Sequence, residues 1–438
     1  MRITLSPGIE NEFFKLLNSL YAPFLSAAHL KDKFQYTVYL DNYPFPVGIV
    51  SASKFVQIAL IPSLHACGVG EMVIREFVRV TNQKRYGWTC KKENYPSLKL
   101  LAKLGGGISV NSATSKSKKT FEGFFYPDKA VSRVMQEQIK NALPESHSKY
   151  AEWYKNIYLT REHEFEVLHK YLCSFIGVID SHQHLLTSEV IGTELKLVGG
   201  LDPRFIRASS SPKNIKRSVV FAIPDNNIDL EKANDEVFQY ANEHAEIVPG
   251  AILYDGIRIE EYFNKQCRVF KEHVYGLRIL KDAEGKFCLA PPERIKLYKS
   301  IAKNRCLLIS HMGPNVVERV LDIVKKVPNL KIILAHLGSP MDHRKTWNQV
   351  IDDLKKLKAY ENVFFDISSV NDEAVIGEAL DIITENRLIW GSDTPYDTPQ
   401  QALEFFFGLK DMSIIQKYKI AYANLHNLLT EALYNEKL

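Results

Sequence analysis

The sequence predicts an α/β protein in two parts: a small α/β unit, then a TIM-type (β/α)8 barrel. Three observations carry this. In the second half, short apolar runs alternate with helix-like stretches, as a parallel α/β fold requires. Five polar residues there, His182, His184, His311, His336 and Asp393, each follow such a run at the point where a strand should end. In the first half, a strand-like run enters a glycine turn that opens a helix.

The 438 residues are 45% hydrophobic and 24% charged, with a net charge of +5. That length suits two domains, and the composition is that of ordinary globular proteins. The first unit is expected over residues 1–126. K-F-V-Q-I-A-L-I-P reads as its strand, and L-H-A-C-G-V-G-E-M-V-I-R-E-F as turn and helix. Such a turn points backbone N–H groups at an anion, helped by the helix N-terminus. Further on, Y-G-W-T-C-K gives another strand, and Asn94 and Ser97 start a helix that closes on Gly105. G-I-S-V-N-S and T-F-E-G-F-F-Y are expected to form a final hairpin around a Ser/Lys turn that includes Lys116, Lys118 and Lys119.

Residues 127–172 are charged and helical in pattern, with Pro144 and His147 expected to mark a break between two helices. His163 and His169 lie on the second of these and read as surface or interdomain residues. The segment is expected to dock the first unit against the barrel, which would occupy residues 173–438.

The barrel's chemistry-bearing strands are F-I-G-V-I-D before S-H-Q-H, C-L-L-I-S before H-M-G, K-I-I-L-A before H-L-G-S, and R-L-I-W-G-S before D-T-P. Each is too short for a helix and rich in residues that suit a buried strand. Helices are expected at 292–302, 315–325 and 345–357. In a barrel of this kind the chemistry sits at the strands' carboxyl ends, so all five residues should converge on one mouth.

His182 and His184 are two apart on an extended segment, so both imidazoles leave the same face. With His311 and Asp393 they supply three nitrogens and a carboxylate oxygen. That set suits one divalent ion, Zn²⁺ or similar, with a position open for water, whose pKa can then fall to about 7. His336 would orient or deprotonate that water, or polarise the substrate. A lone H-x-H is more often incidental than metal-binding. Here four coincidences at successive strand ends would be needed.

Residues 175–432 resemble the amidohydrolase superfamily, in its branch containing carboxymuconate-semialdehyde decarboxylase and relatives. The matching pieces are I-D-S-H-Q-H, V-Y-G-L-R-I-L, I-S-H-M-G, L-A-H-L-G-S, F-F-D-I-S-S, W-G-S-D-T-P and A-Y-A-N-L-H-N-L-L. The resemblance implies His182, His184, His311 and Asp393 as metal ligands and His336 as the catalytic histidine. It leaves hydrolysis, decarboxylation and hydration open, since one scaffold hosts all three. Where many relatives read G-[IF]-K-[LF]-H on the fourth strand, G-L-R-I-L places Arg278 at the lysine position and Leu280 at the histidine position. In two-metal relatives that lysine is carboxylated to bridge the ions, and a guanidinium cannot replace it. A mononuclear site is therefore expected, with Arg278 either holding a substrate carboxylate or phosphate, or forming an ion pair inside the barrel, perhaps with Asp366.

The first unit resembles a GNAT acyltransferase. His65 stands where the pyrophosphate loop usually has Gln or Arg, and Gly68 and Gly70 match its glycines. Asn94, Ser97, Lys103, Leu104 and Gly105 match the second motif. The resemblance implies acetyl-CoA or another acyl-CoA as ligand, held by His65, Gly68, Gly70, Asn94 and Ser97. Leu101 occupies the place of the usual proton-donating tyrosine, and Glu71 would repel an anion at the helix start.

The leading expectation is a mononuclear metal-dependent hydrolase cleaving an amide, ester or lactone in a small anionic molecule, fused to an N-acyltransferase. The alternatives are a non-oxidative decarboxylase or hydratase whose first domain only binds, and a regulatory protein with silent sites. No zinc knuckle, long basic stripe or aromatic-interleaved motif points to nucleic acid. No run reaches transmembrane length and the start lacks a signal-peptide pattern, so a cytoplasmic protein is expected, compatible with a homo-oligomer. The six cysteines lack metal-type spacing and are expected as free thiols, with Cys67 a packed residue of the glycine turn.

Overall fold

The computed structural model describes residues 2–21, 34–41, 43–52, 56–61, 64, 68–114, 119–188, 214–224, 227–273, 276–277, 291–311, 316–339 and 346–433. Contacts divide the chain into two compact units, Met1–Phe175 and Ile176–Leu438.

In the first unit the order is β1 (Ile3–Pro7), α1 (Asn11–Tyr21), β2 (Phe34–Leu40), β3 (Gly48–Ala52), β4 (Val56–Leu60), α2 (Val69–Thr81), β5 (Tyr86–Lys91), α3 (Tyr95–Lys103), β6 (Gly107–Ile108), α4 (Val110–Thr114), β7 (Thr120–Phe125), α5 (Arg133–Thr160) and α6 (Glu162–Cys173). The sheet is mixed, ordered β1-β2-β3-β4-β5-β7-β6. Its neighbours run antiparallel except β4 and β5, which are parallel. Tyr86, Trp88 and Phe125 pack on its buried side, with Tyr86 and Phe125 stacked at 5.1 Å. β6 and β7 pair antiparallel as expected, but the short helix α4 follows β6, and Lys116 and Lys118 of the expected turn lie outside the described residues. The expected break at Pro144 and His147 is not seen, because α5 runs on through Pro144 and ends at Thr160. His147 is held instead by an edge-on contact with the Tyr95 ring.

The second unit continues with β8 (Val178–Leu185), β9 (Ile215–Ala222), α7 (Leu230–Glu243), β10 (Ile247–Ile252), α8 (Ile259–Asn264), β11 (Val269–His273), α9 (Pro292–Lys303), β12 (Leu307–His311), α10 (Val316–Lys326), β13 (Lys331–Leu334), α11 (Trp347–Leu357), β14 (Val363–Asp366), α12 (Glu373–Ile383), β15 (Leu388–Ile389), α13 (Pro399–Gly408), α14 (Ile414–Tyr418) and α15 (Asn424–Leu433). The eight strands pair in sequence order and all in parallel. Bonds from Ser181 N to Trp390 O (3.2 Å), Asp393 N to His182 O (2.7 Å) and His184 N to Thr394 O (2.7 Å) tie the first strand to the chain leaving the last. An eight-stranded barrel, nearly closed, results.

Its interior is filled by branched apolar side chains such as Val219, Val269, Leu307, Ile309, Ile333 and Ile389. The helices carry their own start signals: Asp229 caps α7, Asp372 caps α12, and Thr346 and Gln349 form a reciprocal box at α11. Among the described residues no helix is long and apolar enough to cross a membrane. Cys90, Cys173, Cys267 and Cys306 are buried free thiols, and Cys67 and Cys288 lie outside the described residues.

Candidate metal centre

The first barrel strand delivers His182 and His184 to the mouth, and each imidazole is fixed by a partner for its Nδ1 proton. His182 Nδ1 lies 2.7 Å from Asp366 Oδ2, and His184 Nδ1 lies 2.9 Å from the Ala222 carbonyl. Acceptors at both Nδ1 positions leave Nε2 as a lone pair on each ring, the form a metal takes. Burial, and next the charge of Lys271, hold both imidazoles well below their usual range, so they stay neutral. Asp393 completes the group: its Oδ1 stands 3.5 Å from His182 Nε2 and 3.7 Å from His184 Nε2. One ligand atom from each of the three residues lies within 4.8 Å of the others.

His336 reaches the same mouth through an unusual turn. His336 and Leu337 both have positive φ (53° and 57°), and the buried segment Ala335–Gly338 folds back as a tight left-handed turn after β13. His336 Nδ1 lies 2.9 Å from the Ser368 carbonyl, while Nε2 is buried without a hydrogen-bond partner, 3.9 Å from Asp393 Oδ2. His311, ending β12, has a buried, unpartnered Nδ1. Its ring centroid is 4.8 Å from that of His336 and 6.5 Å from that of His182. Unpartnered buried ring nitrogens are costly unless something binds them. Neutral imidazoles and a carboxylate converging in this way fit a divalent ion of the Zn²⁺ or Mn²⁺ type.

The structure groups three of the four predicted ligands, His182, His184 and Asp393, at ligand distances, with His336 beside Asp393 and His311 reaching the cluster through its ring contacts, and it corrects the reading of the fourth strand. That strand is β11, V-F-K-E-H, rather than V-Y-G-L-R-I-L. Lys271 points inward from it, fully buried, with Nζ 2.5 Å from His182 Nε2 and 3.0 Å from His184 Nε2. Burial pushes its pKa down to about 8 against the pull of Asp393 and Asp366. Two residues on, His273 joins the cluster with its ring 4.8 Å from that of His311. Burial, then Lys271, press its imidazole down to about 3. Arg278 and Leu280 lie outside the described residues, so the argument for one metal from arginine at the lysine position no longer stands. Asp366, considered as a partner for Arg278, bonds to His182 and to the Ser368 amide.

Glu272, between the two inward residues, faces out of the barrel and is also fully buried. Ser310 and Tyr298 each donate to it at 2.6 Å, and Arg319 approaches at 3.1 Å. This group locks β11 and β12 to α9 and α10 directly behind Lys271, His273 and His311.

In the first unit His65 lies outside the described residues, and Gly68 caps α2 in a left-handed conformation (φ 79°). Asn94 Oδ1 accepts the Ser97 amide at 3.2 Å, and Ser97 Oγ accepts the Trp88 indole at 3.1 Å, so both hold the start of α3. Glu71 is neutralised where the sequence suggested a bare charge: Arg75 bonds to it at 2.8 Å and Lys103 at 3.4 Å. Leu101 is fully buried.

The amidohydrolase family profile matches residues 179–424. More than half of the chain is covered, and the chain belongs to the amidohydrolase family. No curated protein matches it. Among solved structures it is similar to a dihydroxybenzoic acid decarboxylase from Polaromonas sp. JS666 with bound manganese and the inhibitor 2-nitroresorcinol, at 16% identity and TM-score 0.44, covering 59% of this chain and 99% of that one. An amidohydrolase from Burkholderia multivorans with bound zinc shares 13% identity at TM-score 0.45, with 58% and 99% covered. A putative 2-pyrone-4,6-dicarboxylic acid hydrolase from Pseudomonas putida shares 15% at TM-score 0.44, with 58% and 98% covered.

Proposed function

We propose that the barrel is a metal-dependent hydrolase that cleaves an amide, ester or lactone in a small anionic molecule. The divalent ion would be held by His182, His184, His311 and Asp393, and when bound it supplies an activated water and polarises the scissile carbonyl. The observation that favours hydrolysis over decarboxylation is the orientation of His336. Its Nδ1 faces a carbonyl, so the proton sits there and a lone pair faces the mouth. Such a group takes a proton before it gives one. Hydrolysis asks for that order, first from water and then to the leaving group, whereas decarboxylation asks for a proton delivered to carbon.

Lys271 adds a cationic or nucleophilic amine to the same mouth and bears on metal count. As an ammonium it competes with a cation for the His182 and His184 lone pairs. As a carbamate it would add two oxygens to the site, and the resemblance implies that such a lysine bridges two ions. The deciding experiment offers metal-reconstituted protein a panel of carboxylate-bearing lactones, esters and amides beside aromatic carboxylic acids. Release of acid from the first group supports the reading, and CO₂ release from the second alone would replace it with a decarboxylase.

For the first unit we propose acyl-CoA binding at the start of α2. Among the described residues the parallel strands β4 and β5 share a single register pair, Val56 with Trp88, whereas β3 and β4 share five. Strands that part beside a helix N-terminus leave room for a pantetheine arm and present first-turn amides to a pyrophosphate. Leu101 removes the usual acid, so binding is proposed with acyl transfer as the activity to be tested.

A further inference from the structure

Two residues that are not glycine hold left-handed backbone face to face at the mouth: Ser369, with φ 54°, and Asp393, with φ 60°. Such conformations are unfavourable for residues with a Cβ and persist where the surroundings fix them. Here their side chains meet, with Ser369 Oγ 3.0 Å from Asp393 Oδ2. The same Oγ also lies 3.2 Å from Asp397 Oδ2.

A serine hydroxyl carries one proton, and a carboxylate only accepts. Ser369 can therefore donate to one of the two carboxylates at a time, and the other contact sets oxygen lone pairs against each other. The Asp393 carboxylate has divided its two oxygens: Oδ1 faces the His182 and His184 Nε2 atoms at 3.5 and 3.7 Å, and Oδ2 faces Ser369. A proton donated to Oδ2 fixes the rotation of the carboxylate and keeps Oδ1 on the imidazole side. Asp397, nearer solvent, has a further weak donor in Asn371 Nδ2 at 3.5 Å.

We propose that Ser369 is a positioning residue for the metal ligand Asp393, and that Asp397 competes for its single proton, so that this sharing tunes the site's hold on a divalent cation. The inference rests on the metal-site reading given above. It gives the two neighbours of one hydroxyl opposite effects, which a packing role would not.

The test is Zn²⁺ affinity of the full chain, by competition with a chromophoric chelator, together with the visible spectrum of the Co²⁺-loaded protein. Ser369→Ala should weaken affinity about tenfold, the scale of a lost hydrogen bond to a charged group, and shift the Co²⁺ band. Ser369→Gly should do the same while holding or raising thermal stability, because glycine suits φ 54°. Asp397→Asn should strengthen binding about threefold, since its amide can donate to Ser369 Oγ and free the hydroxyl proton for Asp393. In the double variant Ser369→Ala with Asp397→Asn that gain should vanish. Wild-type affinity in Ser369→Gly, weaker binding in Asp397→Asn, or an equal Asp397 effect with and without the hydroxyl would overturn the proposal while leaving the metal site standing. No Zn²⁺ binding by the wild-type chain would instead remove the metal reading, and this inference with it.

Discussion

Lys271 Nζ lies 2.5 Å from His182 Nε2, which puts an amine from the fourth strand against the imidazole that begins the metal set. An ammonium there and a divalent ion exclude each other, and burial has already brought the lysine down to about 8. Part of the amine is therefore neutral and nucleophilic at mildly alkaline pH, the form that reacts with CO₂. Reconstitution at that pH with bicarbonate should load about two ions per chain, and Lys271→Met should load about one whether or not bicarbonate is present. Elemental analysis of the two proteins decides it. A bicarbonate-independent single ion in the wild type would leave Lys271 as a plain amine and restore the mononuclear expectation on new grounds.

His336 should separate metal binding from turnover. Its Nε2 faces Asp393 Oδ2 at 3.9 Å, while its Nδ1 is committed to the Ser368 carbonyl. His336→Asn should keep at least one ion and lower kcat about 10²–10⁴-fold, the range of a lost general base. His182→Ala should instead lose most of the metal. Metal analysis beside kinetics distinguishes the two, and equal metal loss would make His336 a ligand.

Glu272 should matter for stability, with a defined pH signature. Burial would raise its pKa, but the Arg319 charge and the bonds from Arg319, Ser310 and Tyr298 outweigh that and hold it below the usual carboxylate range. A depressed acid stabilises the fold above its unfolded pKa, and that contribution is lost as pH falls through the lower folded value. Glu272→Gln removes the buried carboxylate charge that balances the Arg319 guanidinium, at a cost of about 3–5 kcal/mol near neutral pH. Denaturant titrations should show the gap between variant and wild type shrinking once pH falls below about 4.5. A constant gap across that range would mean the carboxylate's charge is not what stabilises.

How much of this site could be read from the sequence follows from which face of each strand is apolar. His182, His184, His311, His336 and Asp393 each end an apolar run, so the change of character marks them. Lys271 and His273 were hidden because β11 reads V-F-K-E-H, where Glu272 makes the outward face polar too, and its partners Tyr298 and Arg319 come from distant helices. A signal was present all the same: Lys271 and His273 are two apart, matching the K-x-H of the relatives' fourth strand, while the nearby G-L-R-I-L supplied a glycine at the wrong register. Pro144 misled in a similar way. An isolated proline predicts a break, yet α5 absorbs it and ends sixteen residues later at Thr160.

For the first unit, CoA binding to the full chain should be detectable by calorimetry, and two variants test where. Gly68 has φ 79° and nothing within 4 Å of where a Cβ would lie, so a side chain there would project into open space beside the α2 N-terminus while straining the backbone. Gly68→Trp should abolish binding by filling the place of the pyrophosphate. Glu71→Gln should act the other way. Its carboxylate is bonded to Arg75 and Lys103, so neutralising it removes a negative charge from the first turn and frees two cations for a phosphate. The gain should be about 0.3–1 kcal/mol, a two- to fivefold tighter Kd that fades in high salt. If the intact chain shows no CoA binding at millimolar ligand, or if Gly68→Trp binds as well as wild type, the start of α2 is not an acyl-CoA site.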